Sequence, residues 1–298
     1  MNAKKTRVGF AGLGQMGKHM ARNLLGPDVA LTVCDLKQDL FDSFRRDGAE
    51  ASSNPGDLAG SDIIFLSLPG DSAVKSVLLG DGGLLALVEK GRIVVDLSTI
   101  SYSLTKEIAA ACGGRGVDFL DAPVSGMESR AKDGTLSVMV GGKAATLDKV
   151  RPFLERLGNK ILHVGDTGCG QLTKLINQLL FDINVAALAE ILPMAVKLGL
   201  DPVKTGEIVN SGTGRSYASE FFIPRILANN FSEGYPMRHA YKDLVSAALV
   251  SSTECIPLPV LQAATSTYQK ALLEGYGGED KGAMVKVFEN LLGVKYRK

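Results

Sequence analysis

The chain has 298 residues, of which 45% are hydrophobic, and its 33 basic and 32 acidic side chains leave a formal net charge of +1. This length suits about two domains with sizeable cores, because a domain usually spans roughly 100–200 residues. The balanced charge argues against a dedicated nucleic-acid binder and against a polybasic membrane anchor, and the normal hydrophobic content argues against disorder.

The cysteines and histidines predict neither a metal site nor a disulfide framework. The four cysteines lie far apart without a CxxC pair, and the three histidines lack HExxH spacing. Zinc sites need closely spaced ligand pairs, and disulfide frameworks belong to shorter, cysteine-richer chains. We therefore expect no metal ion, reduced cysteines and a cytoplasmic location.

An export signal and a membrane span are not expected either. The basic N-terminus is followed by a short, glycine-rich apolar run without a clean cleavage site. Asp182 and Glu190 interrupt the most apolar stretch, so that no run of about 20 uncharged apolar residues remains.

The first half of the chain alternates strand-like and helix-like segments. Short β-branched apolar runs predict strands at residues 7–11, 30–35, 62–68, 92–97, 117–121, 137–140 and 161–164. Helix-period stretches between them predict helices at residues 16–25, 38–46, 72–78, 103–111 and 145–157. Such alternation predicts an α/β domain with a mostly parallel sheet covered on both faces by helices.

After Gly165 the pattern becomes purely helical. A long stretch without glycine, residues 171–198, repeats apolar residues on one helical face, and Gly199 ends it. Further helices are predicted at residues 202–210, 217–228, 238–252, 259–274 and 281–292. We therefore predict two domains, an α/β domain at 1–165 and an all-α domain at 166–298, joined by the long helix.

A glycine motif follows the first predicted strand and opens the first helix. Gly12 would allow the tight turn, Gly14 would let the backbone approach a pyrophosphate, and Gly17 would let helix and strand pack closely. The helix start offers N–H groups and a positive dipole end to the phosphates. A purely structural turn is the alternative, but the context favours a Rossmann-type dinucleotide site. The predicted cofactor-binding residues of this motif are Gly12, Leu13, Gly14, Gln15, Met16 and Gly17.

Asp35 ends the second predicted strand, 18 residues after Gly17. A carboxylate there would accept hydrogen bonds from the adenosine ribose hydroxyls and would repel a 2′-phosphate. The sequence thus predicts NAD as the cofactor, while NADP stays possible because Lys37 can soften this preference. The alternative role for Asp35 is that of a turn residue at the end of a strand.

Several further segments follow one another along nearly the whole chain, namely GLGQMGKHM at 12–20, DLST at 96–99, DAPVSG at 121–126, GTL at 134–136 with MVGG at 139–142, GCGQLTKLIN at 168–177 and KDL at 242–244. Together they resemble the β-hydroxyacid dehydrogenase family, which includes 3-hydroxyisobutyrate dehydrogenase, tartronate semialdehyde reductase and 2-(hydroxymethyl)glutarate dehydrogenase. The spaced set is specific, although any single segment is not.

The resemblance implies an NAD(P)-dependent oxidoreductase that transfers a hydride between nicotinamide and a small 3-hydroxy acid or its semialdehyde. Lys174 would be the general acid/base. Because a lysine ordinarily titrates near 10.4, we expect burial and a second cation such as Lys242 to lower its pKa. The alternative is a solvated lysine near a helix start.

The resemblance also implies a substrate site in which Ser125 and Gly126 grip a carboxylate. The family has a second glycine where this chain has Met127, and a second asparagine where it has Gln178. Met127 either shapes the pocket or points outward, and Gln178 either suits a different substrate or faces solvent. The implied substrate-binding residues are Ser125, Gly126, Met127, Asn177, Gln178 and Lys242.

Further cofactor contacts are implied at the ends of predicted strands, where ligands of such folds bind. These residues are Leu68, Pro69 and Thr99, and Lys242 can reach either cofactor or substrate. Arg215 or Arg130 can bind a distal anion, or both can be surface residues. The resemblance further implies a homodimer or homotetramer, with a small-molecule substrate and neither nucleic acid nor membrane as partner.

Two other functions compete with the dehydrogenase reading. One is a catalytically silent NAD(P)-binding interaction protein, and the other is an imine reductase of the same architecture. Retention of Lys174 argues against both, because inactive relatives and imine reductases often replace this lysine. The match to 6-phosphogluconate dehydrogenase is partial, since that enzyme is longer and needs a phosphate-binding cluster.

Overall fold

A computed structural model of the chain describes residues 5–297. It forms two compact units, the first extending to Lys174 and the second beginning at Leu175. The sequence placed the division earlier, between residues 165 and 166. The difference lies in the start of the long helix, whose first turns are hydrogen-bonded to the first unit through Asp121.

Unit 1 combines strands and helices in alternation. Its strands are β1 (Thr6–Ala11), β2 (Val29–Cys34), β3 (Glu50–Ser52), β4 (Ile63–Leu66), β5 (Ile93–Asp96), β6 (Asp118–Asp121), β7 (Val124–Ser125), β8 (Leu136–Gly142) and β9 (Gly158–Gly165). Its helices are α1 (Gly17–Asn23), α2 (Phe41–Arg46), α3 (Asp71–Leu79), α4 (Leu84–Leu87), α5 (Tyr102–Gly114), α6 (Met127–Lys132) and α7 (Ala144–Leu154), with a 3-10 helix at Pro55–Leu58.

The strands form one sheet in the order β3-β2-β1-β4-β5-β6-β8-β7, with β9 beside β8. The six strands from β3 to β6 are parallel, and β8 runs antiparallel to both β6 and β7. The predicted Rossmann-type, mostly parallel sheet is therefore confirmed. The sequence missed β3, β7, α4 and α6, because each has at most six residues and no apolar period of its own.

The central strands are buried on both faces, as their uninterrupted apolar runs predicted. In β4, Phe65 belongs to the core on one side of the sheet, whereas Ile64 and Leu66 belong to the core on the other side. Side chains of a strand alternate between faces, so a strand covered on both sides needs no polar positions. Each such side chain contributes about 1.5–3 kcal/mol when fully buried.

Unit 2 is helical. The long helix α8 (Cys169–Lys197) begins in unit 1 and continues into unit 2. It is followed by α9 (Pro202–Ser211), α10 (Tyr217–Leu227), α11 (Met237–Thr253), α12 (Pro259–Leu273) and α13 (Val285–Leu292), with 3-10 helices at Tyr276–Gly278 and Lys281–Met284. Within residues 175–297 the only β-type pairing is an isolated bridge between Pro236 and Asp280. The predicted all-α domain and its long helix are confirmed, although the last predicted helix begins as a 3-10 turn.

Helix α8 is the one helix in the described chain that is long and apolar enough to cross a membrane, judged by length and composition alone. This is a weak indication, because the core helix of a globular domain passes the same test. Asp182 lies on α8 fully buried, accepts a hydrogen bond from the Tyr268 hydroxyl and forms an ion pair with the Lys281 ammonium. Such a pair is typical of a helix packed inside a protein core.

Candidate cofactor and active site

The three glycines of the motif between β1 and α1 differ in the space that the structure leaves for a side chain. A Cβ on Gly12, whose φ is +99°, would lie 2.2 Å from the Ser67 carbonyl oxygen, and a Cβ on Gly17 would lie 1.9 Å from the Gly12 carbonyl oxygen. Both positions therefore exclude side chains. A Cβ on Gly14 would meet no described heavy atom within 4 Å. The backbone is thus open at Gly14, where a phosphate can approach it and the first N–H groups of α1.

Asp35 follows β2 and is bound to the glycine turn. Its Oδ2 accepts a hydrogen bond of 2.6 Å from the Leu13 N–H, and its Oδ1 accepts one of 2.8 Å from the Lys37 N–H. A carboxylate oxygen has more than one lone pair, so both oxygens can still accept from a ligand hydroxyl. The Asp35 carboxylate can therefore accept hydrogen bonds from the hydroxyls of an adenosine ribose bound beside the glycine turn.

The remaining predicted cofactor segments lie at the same carboxyl edge of the sheet. The strands β1, β4 and β5 are neighbours, with Ala11 opposite Leu66 and Leu66 opposite Asp96. Beyond their ends, the Leu68 N–H donates to the Ser98 hydroxyl at 2.9 Å. The structure therefore brings the Leu68–Pro69 turn beside the segment that contains Thr99, where dinucleotides bind in such sheets.

Two buried aspartates end the adjacent strands β5 and β6. Asp96 and Asp121 are opposite each other in the ladder, and neither is exposed. Burial raises the pKa of Asp96 to about 7 and also raises that of Asp121. The Oδ1 of Asp96 accepts from the Ser98 N–H, while its Oδ2 has no hydrogen-bond partner among the described residues. Both aspartates lie in segments that resemble the family, but the sequence predicted no role for either of them.

Asp121 holds the start of α8. Its Oδ1 accepts from the Gly168 N–H at 2.7 Å and its Oδ2 accepts from the Gln171 N–H at 2.9 Å. The Gln171 side chain in turn bonds to Ser98 and Ile100. Lys174 follows one helical turn later and is only 8% exposed. The predicted acid/base is therefore a buried lysine on a helix start that is anchored to the sheet.

The predicted carboxylate-binding turn lies between β7 and α6. Ser125 pairs with β8, and Gly126 has φ +147°, where an added Cβ would lie 2.8 Å from Arg130 Cβ and 2.9 Å from Leu136 Cδ2. Met127, at the position where the resemblance implied a second glycine, has a φ of +61°, the left-handed conformation that glycine adopts most easily. Its side chain is 40% exposed, so it is turned toward solvent for a large part of its surface.

Glu128, which sequence reasoning missed, connects this turn to the glycine motif. Its carboxylate accepts from the Gln15 amide at 2.9 Å, pairs with Lys18 at 2.8 Å and contacts the His19 ring at 3.0 Å. Hydrogen bonds from Lys18, His19 and Gln15 lower the pKa of Glu128 to about 2. The predicted cofactor residue Gln15 thereby lies beside the predicted substrate turn.

The remaining predicted substrate residues lie in unit 2. The Gln178 amide donates to the Asp243 carboxylate at 3.3 Å, and Asp243 is nearly fully buried. Gln178 is therefore partly buried and hydrogen-bonded, which differs from the alternative of a solvated helix residue. Lys242 is the residue immediately before Asp243 in the chain. Asn177 is exposed.

The two arginines that were candidates for binding a distal anion have partners within the chain. Arg215 forms an ion pair with Glu220 at 2.6 Å, and Arg130 donates to the Thr135 carbonyl. Among residues 5–297, no cluster of His, Cys, Asp and Glu is arranged to hold a metal ion.

This fold and these strand-end residues define a dinucleotide-dependent oxidoreductase. Residues 7–165 match the family described as the NAD-binding domain of 6-phosphogluconate dehydrogenase, and residues 168–288 match the NAD-binding family of NADP-dependent 3-hydroxyisobutyrate dehydrogenase. Together with the relatives described next, these matches show that the chain belongs to the β-hydroxyacid dehydrogenase family, whose cofactor is NAD or NADP.

Similar proteins cover essentially the whole chain. The 2-(hydroxymethyl)glutarate dehydrogenase of Eubacterium barkeri is 40% identical over 98% of this chain and 97% of its own length. The NAD-dependent L-serine dehydrogenase of Pseudomonas aeruginosa is 35% identical over 96% of this chain and 99% of its own. The crystal structure of 3-hydroxyisobutyrate dehydrogenase from Salmonella typhimurium has a TM-score of 0.86 at 29% identity, with 95% of this chain and 100% of that chain covered.

Proposed function

We propose that the protein oxidises a small 3-hydroxy acid to its semialdehyde, or catalyses the reverse reduction, with Lys174 as the general acid/base. The observation that carries this proposal is the burial of Lys174 on the anchored start of α8. Retention of this lysine favours a dehydrogenase over a silent NAD(P)-binding protein and over an imine reductase.

The substrate class follows from what the substrates in the relatives' names share. In 2-(hydroxymethyl)glutarate, L-serine and 3-hydroxyisobutyrate, a CH2OH group and a carboxylate are attached to the same carbon atom. They differ in the third substituent of that carbon, which is a carboxyethyl, an amino or a methyl group. We propose that the substrate of this chain contains the shared unit, and that its third substituent sets the specificity.

The glycine turn and Asp35 would hold the dinucleotide, which would supply the acceptor for the hydride of the CH2OH carbon. The neutral Lys174 amine takes the proton of the hydroxyl at its Nζ, and the ammonium returns it in the reverse direction. The Ser125 hydroxyl and the N–H groups of Gly126 and Met127 bind the substrate carboxylate. We also propose substrate contacts for Asn177, Gln178 and Lys242, whose polar side chains can bind the carboxylate or the third substituent.

We further propose NAD as the preferred cofactor, because the Asp35 carboxylate beside Leu13 would repel a 2′-phosphate. A homodimer or homotetramer in the cytoplasm is also proposed. The support for association is a set of exposed apolar side chains on the helices of unit 2, namely Ile176, Leu180, Ile208, Val245 and Leu249.

The test is turnover by the purified protein with NAD and a panel of acids. The panel holds 3-hydroxyisobutyrate, L-serine, glycerate and 2-(hydroxymethyl)glutarate, and each is matched with a 2-hydroxy acid of similar size that lacks the CH2OH group. We expect NADH formation from at least one member of the first set and none from the matched acids. Equal rates on both sets, or silence across the panel with intact NADH binding, would contradict the proposal.

A further inference from the structure

The Gln171 side chain bonds to the chain on both sides of Thr99. Its Nε2 donates to the Ser98 carbonyl oxygen at 2.7 Å, and its Oε1 accepts from the Ile100 N–H at 3.2 Å. Gln171 is only 3% exposed, so these bonds are shielded from water. The side-chain amide thus takes the place that the backbone of a neighbouring strand would occupy.

The segment needs this partner because it lies beyond the end of β5, which stops at Asp96. Ser98 and Ile100 are both buried, and a buried backbone group without a partner costs about 1–3 kcal/mol. Removal of the Gln171 amide would leave the Ser98 carbonyl and the Ile100 N–H buried without these hydrogen bonds. The segment would then rearrange, and Thr99, which lies between the two bonds, would move with it.

Gln171 and the segment that it binds are each held in place by a further hydrogen bond. The Gln171 backbone N–H donates to Asp121 at the end of β6, and Asp121 also accepts from the Gly168 N–H. On the other side, the Ser98 hydroxyl accepts from the Leu68 N–H. The buried Gln171 amide is therefore a fixed connection between α8 and the segment beyond β5, which we call the Gln171 clamp. A flexible surface side chain could not hold this segment in one position.

We propose that Gln171 is a positioning residue that fixes Thr99 for contact with the dinucleotide. This inference rests on the proposed function and on the cofactor contact of Thr99 that the resemblance to the family implies. Gln171 does not touch the cofactor in this account and acts through the Ser98–Ile100 backbone. The same clamp ties the cofactor segment to the helix start that carries Lys174.

The experiment is a double-mutant cycle read by NADH affinity, measured as the change in NADH fluorescence on binding. Gln171→Met keeps the length of the side chain and removes both hydrogen bonds, and Thr99→Val keeps the shape and removes the hydroxyl. We expect each single variant to weaken NADH binding about tenfold, the size of one lost buried hydrogen bond. The double variant should bind about as weakly as Thr99→Val alone, since Gln171 acts through Thr99.

Additive losses in the double variant would overturn the proposal, because they would show that the two residues act independently. Wild-type affinity in Thr99→Val would overturn it too, since there would be no contact to position. The cycle needs no turnover, so a failure of the proposed reaction in the panel assay is seen separately.

A core variant separates positioning from a general loss of stability. Val150→Ala truncates a buried side chain of helix α7, which belongs to the hydrophobic core on one face of the sheet in unit 1. We expect it to lower the melting temperature and leave NADH affinity unchanged. Equal weakening in Val150→Ala and Gln171→Met would overturn the proposal. If Gln171→Met does not fold, Gln171→Asn replaces it in the cycle, because this variant keeps a polar amide that is too short to reach both backbone groups, and the same non-additivity is expected.

Discussion

The strand ends of unit 1 and the helix α8 in unit 2 bury aspartates in different ways. In unit 1, Asp96 and Asp121 lie at strand ends, where their oxygens accept backbone N–H groups and burial raises their pKa values. In unit 2, Asp182 on α8 is bound by the Lys281 ammonium and the Tyr268 hydroxyl, although burial raises its pKa as well. The comparison teaches that the aspartates at the strand ends depend on main-chain N–H groups, whereas Asp182 on α8 depends on a side-chain cation.

The largest expected stability effect comes from removing that cation. Lys281→Met leaves the Asp182 carboxylate buried without its charge partner, and breaking one side of a buried pair costs about 3–5 kcal/mol. Urea unfolding followed by circular dichroism measures the loss, with the exposed Lys204→Met as control. The double variant Asp182→Leu with Lys281→Met should lose less than Lys281→Met alone. An unchanged unfolding midpoint in Lys281→Met would remove the contrast between the strand ends and helix α8.

The next effect concerns pH and Asp96. An acid whose pKa is raised in the folded state holds a proton that the unfolded chain has already released, so stability falls as pH rises from about 4 to about 7. Asp96→Asn should flatten this fall by about 3 kcal/mol between pH 5 and pH 8. Unfolding free energies at both pH values test this, with the exposed Asp148→Asn as the control. An unaltered slope in Asp96→Asn would show that Asp96 stays charged.

A third prediction tests the charge at the cofactor site of unit 1. Asp35→Asn keeps an oxygen acceptor for the Leu13 N–H and removes the negative charge. We expect the ratio of kcat/KM with NADP to that with NAD to rise about tenfold, which corresponds to about 1.4 kcal/mol. Asp39→Asn changes the net charge equally and should leave the ratio as it is. If both variants shift it alike, the effect is not specific to Asp35.

The smallest effect is expected at Met127. Its left-handed backbone costs a residue with a side chain about 1 kcal/mol that glycine does not pay, so Met127→Gly should be neutral or stabilising by up to about 1 kcal/mol. Ser129→Gly in the same short helix should instead be destabilising by about 0.5–1 kcal/mol. Thermal unfolding compares the two variants. A loss in Met127→Gly equal to that in Ser129→Gly would mean that the Met127 side chain contributes packing that outweighs the strain.

The sequence predicted the parallel sheet, the glycine turn and the long helix because each has a local signal. Strands buried on both faces are continuous apolar runs, and Gly17 excludes a side chain because of the Gly12 carbonyl oxygen in the same motif. The two-residue strand β7 has no such signal, because pairing with β8 alone makes it a strand.

The polar network around the site could not be predicted in the same way. Gln171 bonds to residues 71 and 73 positions away, and Glu128 bonds to Gln15 across 113 positions. Contacts at such separations follow from strand order and leave no periodic pattern in the chain. The acids that end the apolar strands β5 and β6 were the available signal, since a buried carboxylate needs partners from elsewhere.

The role of Lys174 is tested most directly by a single-turnover measurement. The protein is loaded with NAD and mixed with the best acid of the panel, and NADH formation is followed in wild type, Lys174→Met and the exposed control Lys160→Met. The account predicts hydride transfer at least about 100-fold slower in Lys174→Met, with NADH affinity near that of wild type, because proton removal by the amine is lost. Transfer at the wild-type rate in Lys174→Met would contradict it.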